Sequence, residues 1–228
     1  MKRFSVICFL IGVLAIINTN NASADILFES GTLGPTAVPW SDVVDQTVFG
    51  ANVSSAVFDG VRFELTAPAV IFEIGGHFVA PTSSTFFGAI VKLDDDVDFP
   101  NSGDLSTPDV LGVTLLTFPA PSAEVFGNLA LSLDPGWYAL VFGSGLYGAA
   151  GNGAMPLNNP DIGTQSYIAF VSSHWKNSAP TDGFEFKDFR FVVKGSIIPE
   201  PNTLCLTVLI LCLASVYGQT RFRLRFNQ

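Results

Sequence analysis

The residue types most able to do chemistry crowd into one stretch: Asp94, Asp95, Asp96 and Asp98, followed by Asn101, Asp104 and Asp109. Clustered carboxylates and an amide supply the hard oxygens that Ca2+ takes at about six to eight positions, and outside a cell millimolar affinity is enough. The stretch is not an EF-hand, because Phe99 and Pro100 stand where the glycine and the backbone ligand belong and Leu105 replaces the bidentate Glu. Asp94, Asp96 and Asp98 are therefore the metal-ligand candidates. The plainer reading is a solvated hairpin loop whose charges discourage edge pairing.

Other constellations are thinner. His77 and His174 are the two histidines; on separate strands they could join an acid in a metal or hydrolytic site. The plainer reading places His77, after Gly75-Gly76, along a sheet and His174 in a loop beside Trp175. A pair of carboxylates for glycoside hydrolysis could be drawn from Glu64, Glu73, Glu124 or Glu185, but nothing in the spacing pairs them. Arg62 and Glu64 read as a surface ion pair. Gly143, Gly145 and Gly148 match G-x-G-x-x-G, yet the following Gly-rich stretch closes on Pro156, so no helix N-terminus is available for a pyrophosphate. Those glycines read as a long flexible loop over one end of the fold. Gly143-Ser144-Gly145 lacks the nucleophile-elbow pattern. Among Trp40, Trp137, Trp175 and the tyrosines Tyr138, Tyr147 and Tyr167, taken as solvent-side, Trp175 and Tyr147 are the loop residues chosen as ligand-binding candidates that could stack on a sugar ring.

The elements that must position these groups read as strands. Val61, Phe63 and Leu65 alternate with Arg62, Glu64 and Thr66, and Leu129, Leu131 and Leu133 alternate with Ala130, Ser132 and Asp134. Asp134-Pro135-Gly136 predicts a tight turn into a strand from Trp137 to Gly143. Further strands are expected at Val43 to Phe49, Val70 to Val79, Phe86 to Leu93, Val110 to Phe118 and Ser166 to Val171. A bulge near Lys187-Asp188 would bring Phe184 and Phe186 onto the face of Phe189, Phe191 and Val193. Short strands punctuated by Gly and Pro predict an all-β, antiparallel β-sandwich of jelly-roll type from Asp25 to Ser196.

Both ends of the chain carry a different pattern. Lys2 and Arg3, the apolar stretch Phe4 to Ile17 and Ala22-Ser23-Ala24 have the plan of a signal peptide, residues 1–24, cleaved after Ala24. The exported domain has no cysteine, since Cys8, Cys205 and Cys212 lie in the terminal segments, so apolar burial must hold it. It carries six basic residues against nineteen acids, a balance that excludes nucleic acid as a partner, because phosphate binding needs the opposite sign. In residues 197–228, Pro199-Glu200-Pro201 is an extended joint. Leu204 to Tyr217 is an uncharged apolar stretch that reads as a transmembrane helix, and Arg221, Arg223 and Arg225 hold its far end in the cytoplasm.

That order of parts resembles the PEP-CTERM sorting signal of exported bacterial proteins. Where that family has Ser or Ala after the motif this chain has Asn202, and its arginines alternate with Phe222 and Leu224. The resemblance implies an exosortase-type processing enzyme as partner, a membrane-anchored precursor, cutting near the motif, and work in systems that make extracellular polysaccharide. Gly75-Gly76-His77-Phe78, Phe87-Gly88-Ala89-Ile90-Val91 and Pro135-Gly136-Trp137-Tyr138 resemble the sandwich ectodomains that precede such signals, and no catalytic residues come with that likeness. The expectation is an exported, noncatalytic structural or adhesive protein of the polysaccharide matrix, with no cofactor beyond Ca2+ in the acidic stretch. A Ca2+-dependent carbohydrate-binding module and a secreted hydrolase are the alternatives.

Overall fold

The computed structural model describes residues 24–43, 50–163, 165–178 and 188–199. Among them the chain is all-β, with strands β1 (Asp25–Glu29), β2 (Gly50–Val53), β3 (Val57–Leu65), β4 (Ala69–Phe78), β5 (Thr85–Lys92) and β6 (Val110–Thr117). The second half adds β7 (Ala123–Leu133), β8 (Gly136–Gly143), β9 (Gly153–Pro156), β10 (Ser166–Val171), β11 (His174–Asn177) and β12 (Phe191–Ile197). The one described helix, α1 (Trp40–Val43), is a single turn. Every pairing is antiparallel. One sheet runs β1-β12-β4-β7, a second runs β11-β10-β3-β8-β5-β6, and β2 with β9 forms a two-stranded ribbon.

Alternation explains why the two larger sheets face each other. Val61, Phe63 and Leu65 of β3 and Tyr138, Leu140 and Phe142 of β8 enter the same core as Ile71, Ile74 and Phe78 of β4 and Phe191 and Val193 of β12. In β4 the inward set switches from odd to even numbers because the register against β7 slips between Ile71 and Glu73. Aromatic rings fill the centre: Phe86 stacks on Phe118 at 4.1 Å, and Phe78 meets the edge of Phe142 at 4.9 Å. A fully buried Phe is worth about 1.5–3 kcal/mol relative to exposure, and with no cysteine between residues 25 and 196 this burial carries the stability.

The six-stranded sheet is covered on its outer face as well. Phe58, Phe87, Val91, Ala139, Val141 and Ile168 form a second core with Leu93, Leu105 and Ala149, and Phe99, Leu146 and Trp175 pack against it. The lid comes from residues 93–109, residues 144–149 and β11. Central strand β8 is therefore buried on both sides, which is why its sequence is a near-continuous apolar run. Asp134-Pro135-Gly136 is not a hairpin: it hands the chain from β7 in one sheet to β8 in the other, with Gly136 at φ +148°, a conformation that favours glycine. The 144–149 segment lies over the outer face rather than one end, and its turns place Gly145 at φ +80° and Gly148 at φ +85°.

Some expectations are corrected, and others fall outside the described residues. Val43 ends a helical turn instead of starting a strand, and 44–49 lie outside the described residues. Phe184, Glu185, Phe186 and Lys187 also lie outside them. Asp188 makes a single bridge to Asn159, and β12 begins only at Phe191. Ala22, Glu200, Pro201, the apolar stretch Leu204 to Tyr217, and Arg221, Arg223 and Arg225 are likewise outside; Ala24 and Pro199 end described segments and are exposed. No helix among the described residues is long and apolar enough to cross a membrane.

Candidate functional site

Two places concentrate polar side chains. The first is the acidic stretch, where the carboxylates of Asp95, Asp98, Asp104 and Asp109 are turned on their own loop. Asp95 Oδ1 accepts the N–H groups of Val97 and Asp98 at 2.9 Å each. Asp98 accepts from Asp94 N at 2.9 Å and from Phe99 N at 2.8 Å. Asp109 accepts from Asn101 N at 2.8 Å, and Asp104 from Ser106. These are Asx-type turns, in which short acidic side chains replace the ladder bonds a loop lacks. Of the metal-ligand candidates, Asp94 and Asp96 are exposed and Asp98 has both oxygens engaged. Among the described residues no group of three or more His, Cys, Asp or Glu is arranged to hold a metal ion.

Arg62 holds this stretch down, and the surface ion pair with Glu64 is not what it forms. The side chain is buried on the outer face of β3. Its Nε donates to Asp98 O at 2.6 Å and Nη2 to Val97 O at 3.0 Å, while Nη1 donates to Ser166 Oγ on β10 at 3.0 Å and to Asn177 Oδ1 on β11 at 2.9 Å. The guanidinium lies 4.5 Å from the centre of the Phe99 ring. One planar fork thus ties the acidic stretch to two strands besides its own.

The ligand-binding candidates belong to the same assembly. Trp175 is on edge strand β11, not in a loop; its Nε1 donates to Ser102 O at 3.1 Å, and its ring packs 5.3 Å from Phe170. Tyr147, half exposed in its loop at φ +55°, donates its hydroxyl to Leu105 O at 2.6 Å and meets Phe87 edge-on at 5.3 Å. Both polar handles fasten the acidic stretch. Tyr138 and Tyr167 are buried rather than solvent-side, donating to Asp134 O at 2.7 Å and Phe189 O at 3.2 Å.

The second place is a polar knot beside the β4–β12 pairing. His77 is fully buried, with Nδ1 2.9 Å from Asn159 Oδ1. Asn159 Nδ2 donates to Pro156 O and to Asp188 O, both at 2.9 Å, so its Oδ1 is the acceptor and His77 carries its proton on Nδ1. Nε2 is then left without a partner, and burial holds the imidazole below its ordinary pKa, in the neutral form. Arg190 bonds Glu124 at 2.6 Å and Glu29 at 2.7 Å, spanning β7 and β1. Next to the knot, two carboxyls lie side by side: Asp188 is buried, with Oδ2 unpartnered, and Asp161 is exposed. Burial first, and then the Asp161 charge, push the Asp188 carboxyl up to about 6. The backbone N–H of Gly163, 2.6 Å away, holds Asp161 below the usual range.

Sequence reasoning named His77 and Glu124 but not their company. The structure brings His77 together with Asn159 and Arg190, whereas His174 lies on β11 with its Nδ1 3.0 Å from Ser172 O, in the other sheet. Of the glutamate candidates, Glu73 pairs with Lys194 at 3.5 Å, Glu124 with Arg190 at 2.6 Å, and Glu64 is exposed. Asn158-Asn159-Pro160-Asp161 was the signal available for the knot, a run of turn formers that competes for backbone bonds. A further carboxyl, Asp59, is sealed on the inward face of β3 with Oδ2 unpartnered, and burial pushes it up to about 7.

The arrangement is that of an antiparallel sandwich-like domain whose titratable groups fasten loops and strands to one another. No family model and no curated protein matches the chain.

Proposed function

We propose that this chain is an exported, noncatalytic sandwich protein, sorted to the cell surface through its C-terminal tail, that serves as structural or adhesive material in an extracellular polysaccharide matrix. The observation that carries the reading is the order of parts in the sequence: a signal-peptide plan, a cysteine-free acidic domain, Pro199-Glu200-Pro201, an uncharged apolar stretch and three terminal arginines. An exosortase-type enzyme and the membrane are the partners this order implies. The precursor is held in the inner membrane and the domain then passes to the surface.

The domain's chemistry supports a structural role. Arg62, Tyr147, Trp175 and the carboxylates of Asp95, Asp98, Asp104 and Asp109 spend their polar atoms on holding one lid, and the buried imidazole of His77, whose Nε2 is unpartnered, is out of solvent's reach. The strand orders β1-β12-β4-β7 and β3-β8-β5-β6 support the jelly-roll form, with the first and last strands side by side and β10 and β11 appended beyond β3. Replacing Pro199, Glu200 and Pro201 together by alanine tests the sorting role. The expected result is retention of the chain in the membrane fraction, and unchanged delivery to the medium or matrix refutes it.

A further inference from the structure

The four edge strands of the two larger sheets are not equally protected. β1 carries Asp25 and Glu29, β11 carries His174 and Lys176, and the one charge of β7, Glu124, is bound to Arg190. β6, with the sequence VLGVTLLT, has no charged residue and no proline, in a domain otherwise rich in acids. Free edges of this kind pair with other chains unless charge, proline or a bulge blunts them. Leu115 points outward from β6 at 50% exposure, the highest of any leucine among the exposed large apolar residues.

The direction of the free hydrogen-bonding groups follows from one bond. Phe118 N donates to Ser84 O at 2.8 Å, and the β5 pairing continues without a slip from Thr85↔Thr117 to Ile90↔Gly112. In an antiparallel ladder a residue's N–H and C=O point to the same side and alternate along the strand. Leu116, Thr114 and Gly112 therefore face β5, and Val113, Leu115 and Thr117 offer their N–H and C=O groups to the edge that no other strand among the described residues pairs with. The regular stretch has two stops. On one side the register slips between Ile90 and Val91, at Leu111; on the other stands Pro119, which has no N–H. Its midpoint is Leu115.

We propose that β6 is a self-pairing edge, and that two copies of this chain join antiparallel through it about a twofold axis at Leu115. Val113 then lies opposite Thr117 of the second copy and Leu115 opposite Leu115, so every free N–H and C=O of the stretch finds a partner and the exposed leucine is covered by its own symmetry mate. The absence of charge on this edge strand lets two strongly acidic domains pair there without placing like charges in contact. The interaction joins the six-stranded sheets of the two copies into one continuous sheet.

The test uses the full chain, purified in detergent, with Cys8, Cys205 and Cys212 replaced by serine. Under mild oxidation, Leu115→Cys gives a disulfide-linked dimer at least tenfold faster than Leu111→Cys, because position 115 meets itself across the axis whereas position 111, also exposed, lies far from its mate. In sedimentation, Leu115→Lys weakens association by roughly tenfold or more, while its circular dichroism matches the parent. A monomeric parent, equal crosslinking at 111 and 115, or association insensitive to Leu115→Lys overturns the proposal.

Discussion

Replacing Asp59 by asparagine should remove a large pH dependence of stability. The carboxyl sits on the inward face of β3 between Phe142 of β8 and Ala169 of β10, with Oδ2 unpartnered. Its pKa is pushed from 3.8 to about 7 because burial penalises the charged form. Below pH 3.8 folded and unfolded chains both hold the proton, and this residue imposes no charge penalty. Between pH 3.8 and about 7 the folded chain keeps a proton that the unfolded chain has released, so stability falls as pH rises, by about 1.4 kcal/mol per pH unit. Over about three units the loss is roughly 4 kcal/mol, against total stabilities of about 5–15 kcal/mol for ordinary domains. Urea unfolding of parent and Asp59→Asn at several pH values from 4 to 8 reads this directly. The difference between the two curves should grow with pH, leaving the variant the more stable by up to about 4 kcal/mol at pH 8. His77, whose lowered pKa works in the opposite direction, and Asp188, which works in the same one, cancel in that difference. Parallel curves for parent and variant across this range would refute the reasoning, because they would mean that Asp59 folds with its charge already compensated.

Arg62→Lys should cost about 2 kcal/mol in thermal or urea unfolding, since an ammonium cannot reach two carbonyls, a hydroxyl and an amide at once; hydrogen exchange should rise across residues 94–109 and little elsewhere. The Asp188 carboxyl should titrate near 6 by carbon NMR and move down, without reaching the ordinary value, in Asp161→Asn, because burial is the larger cause of its shift. Gly143→Ala should destabilise by about 1–3 kcal/mol, as a Cβ there runs into the rings of Phe58 and Phe87; an unchanged melting temperature would contradict the tight packing of the second core.

What the sequence disclosed was local. Period-two alternation located β3 and β7, and apolar runs bounded by turn residues located β4, β5, β6, β8 and β10 within a residue or so. Strands β2, β9 and β11 are four residues each, too short for a period to show, and β11 contains the His174-Trp175 pair that composition suggested was a loop. Arg62 misled for a physical reason. A polar residue at an alternating position reads as solvent-facing, and only the packing of a segment 36 positions away turns that face into a second core. Asp161 and Asp188 met for the same kind of reason, through the bridges Gly31↔Asp161 and Asn159↔Asp188 rather than any spacing. The acidic stretch was visible at once, but its carboxylates could equally ligate a cation or cap their own turns, and the choice depends on backbone geometry that residue types do not encode.

The sorting of the domain through its tail is the central claim, and mass spectrometry of the C-terminal peptide, from protein recovered from source cells and their medium, tests it most directly. A new terminus at or near Pro199 to Pro201 is the predicted result and directs the search for partners to the extracellular matrix. Chains ending at Gln228 and confined to the membrane fraction would contradict the account and leave an anchored ectodomain in its place.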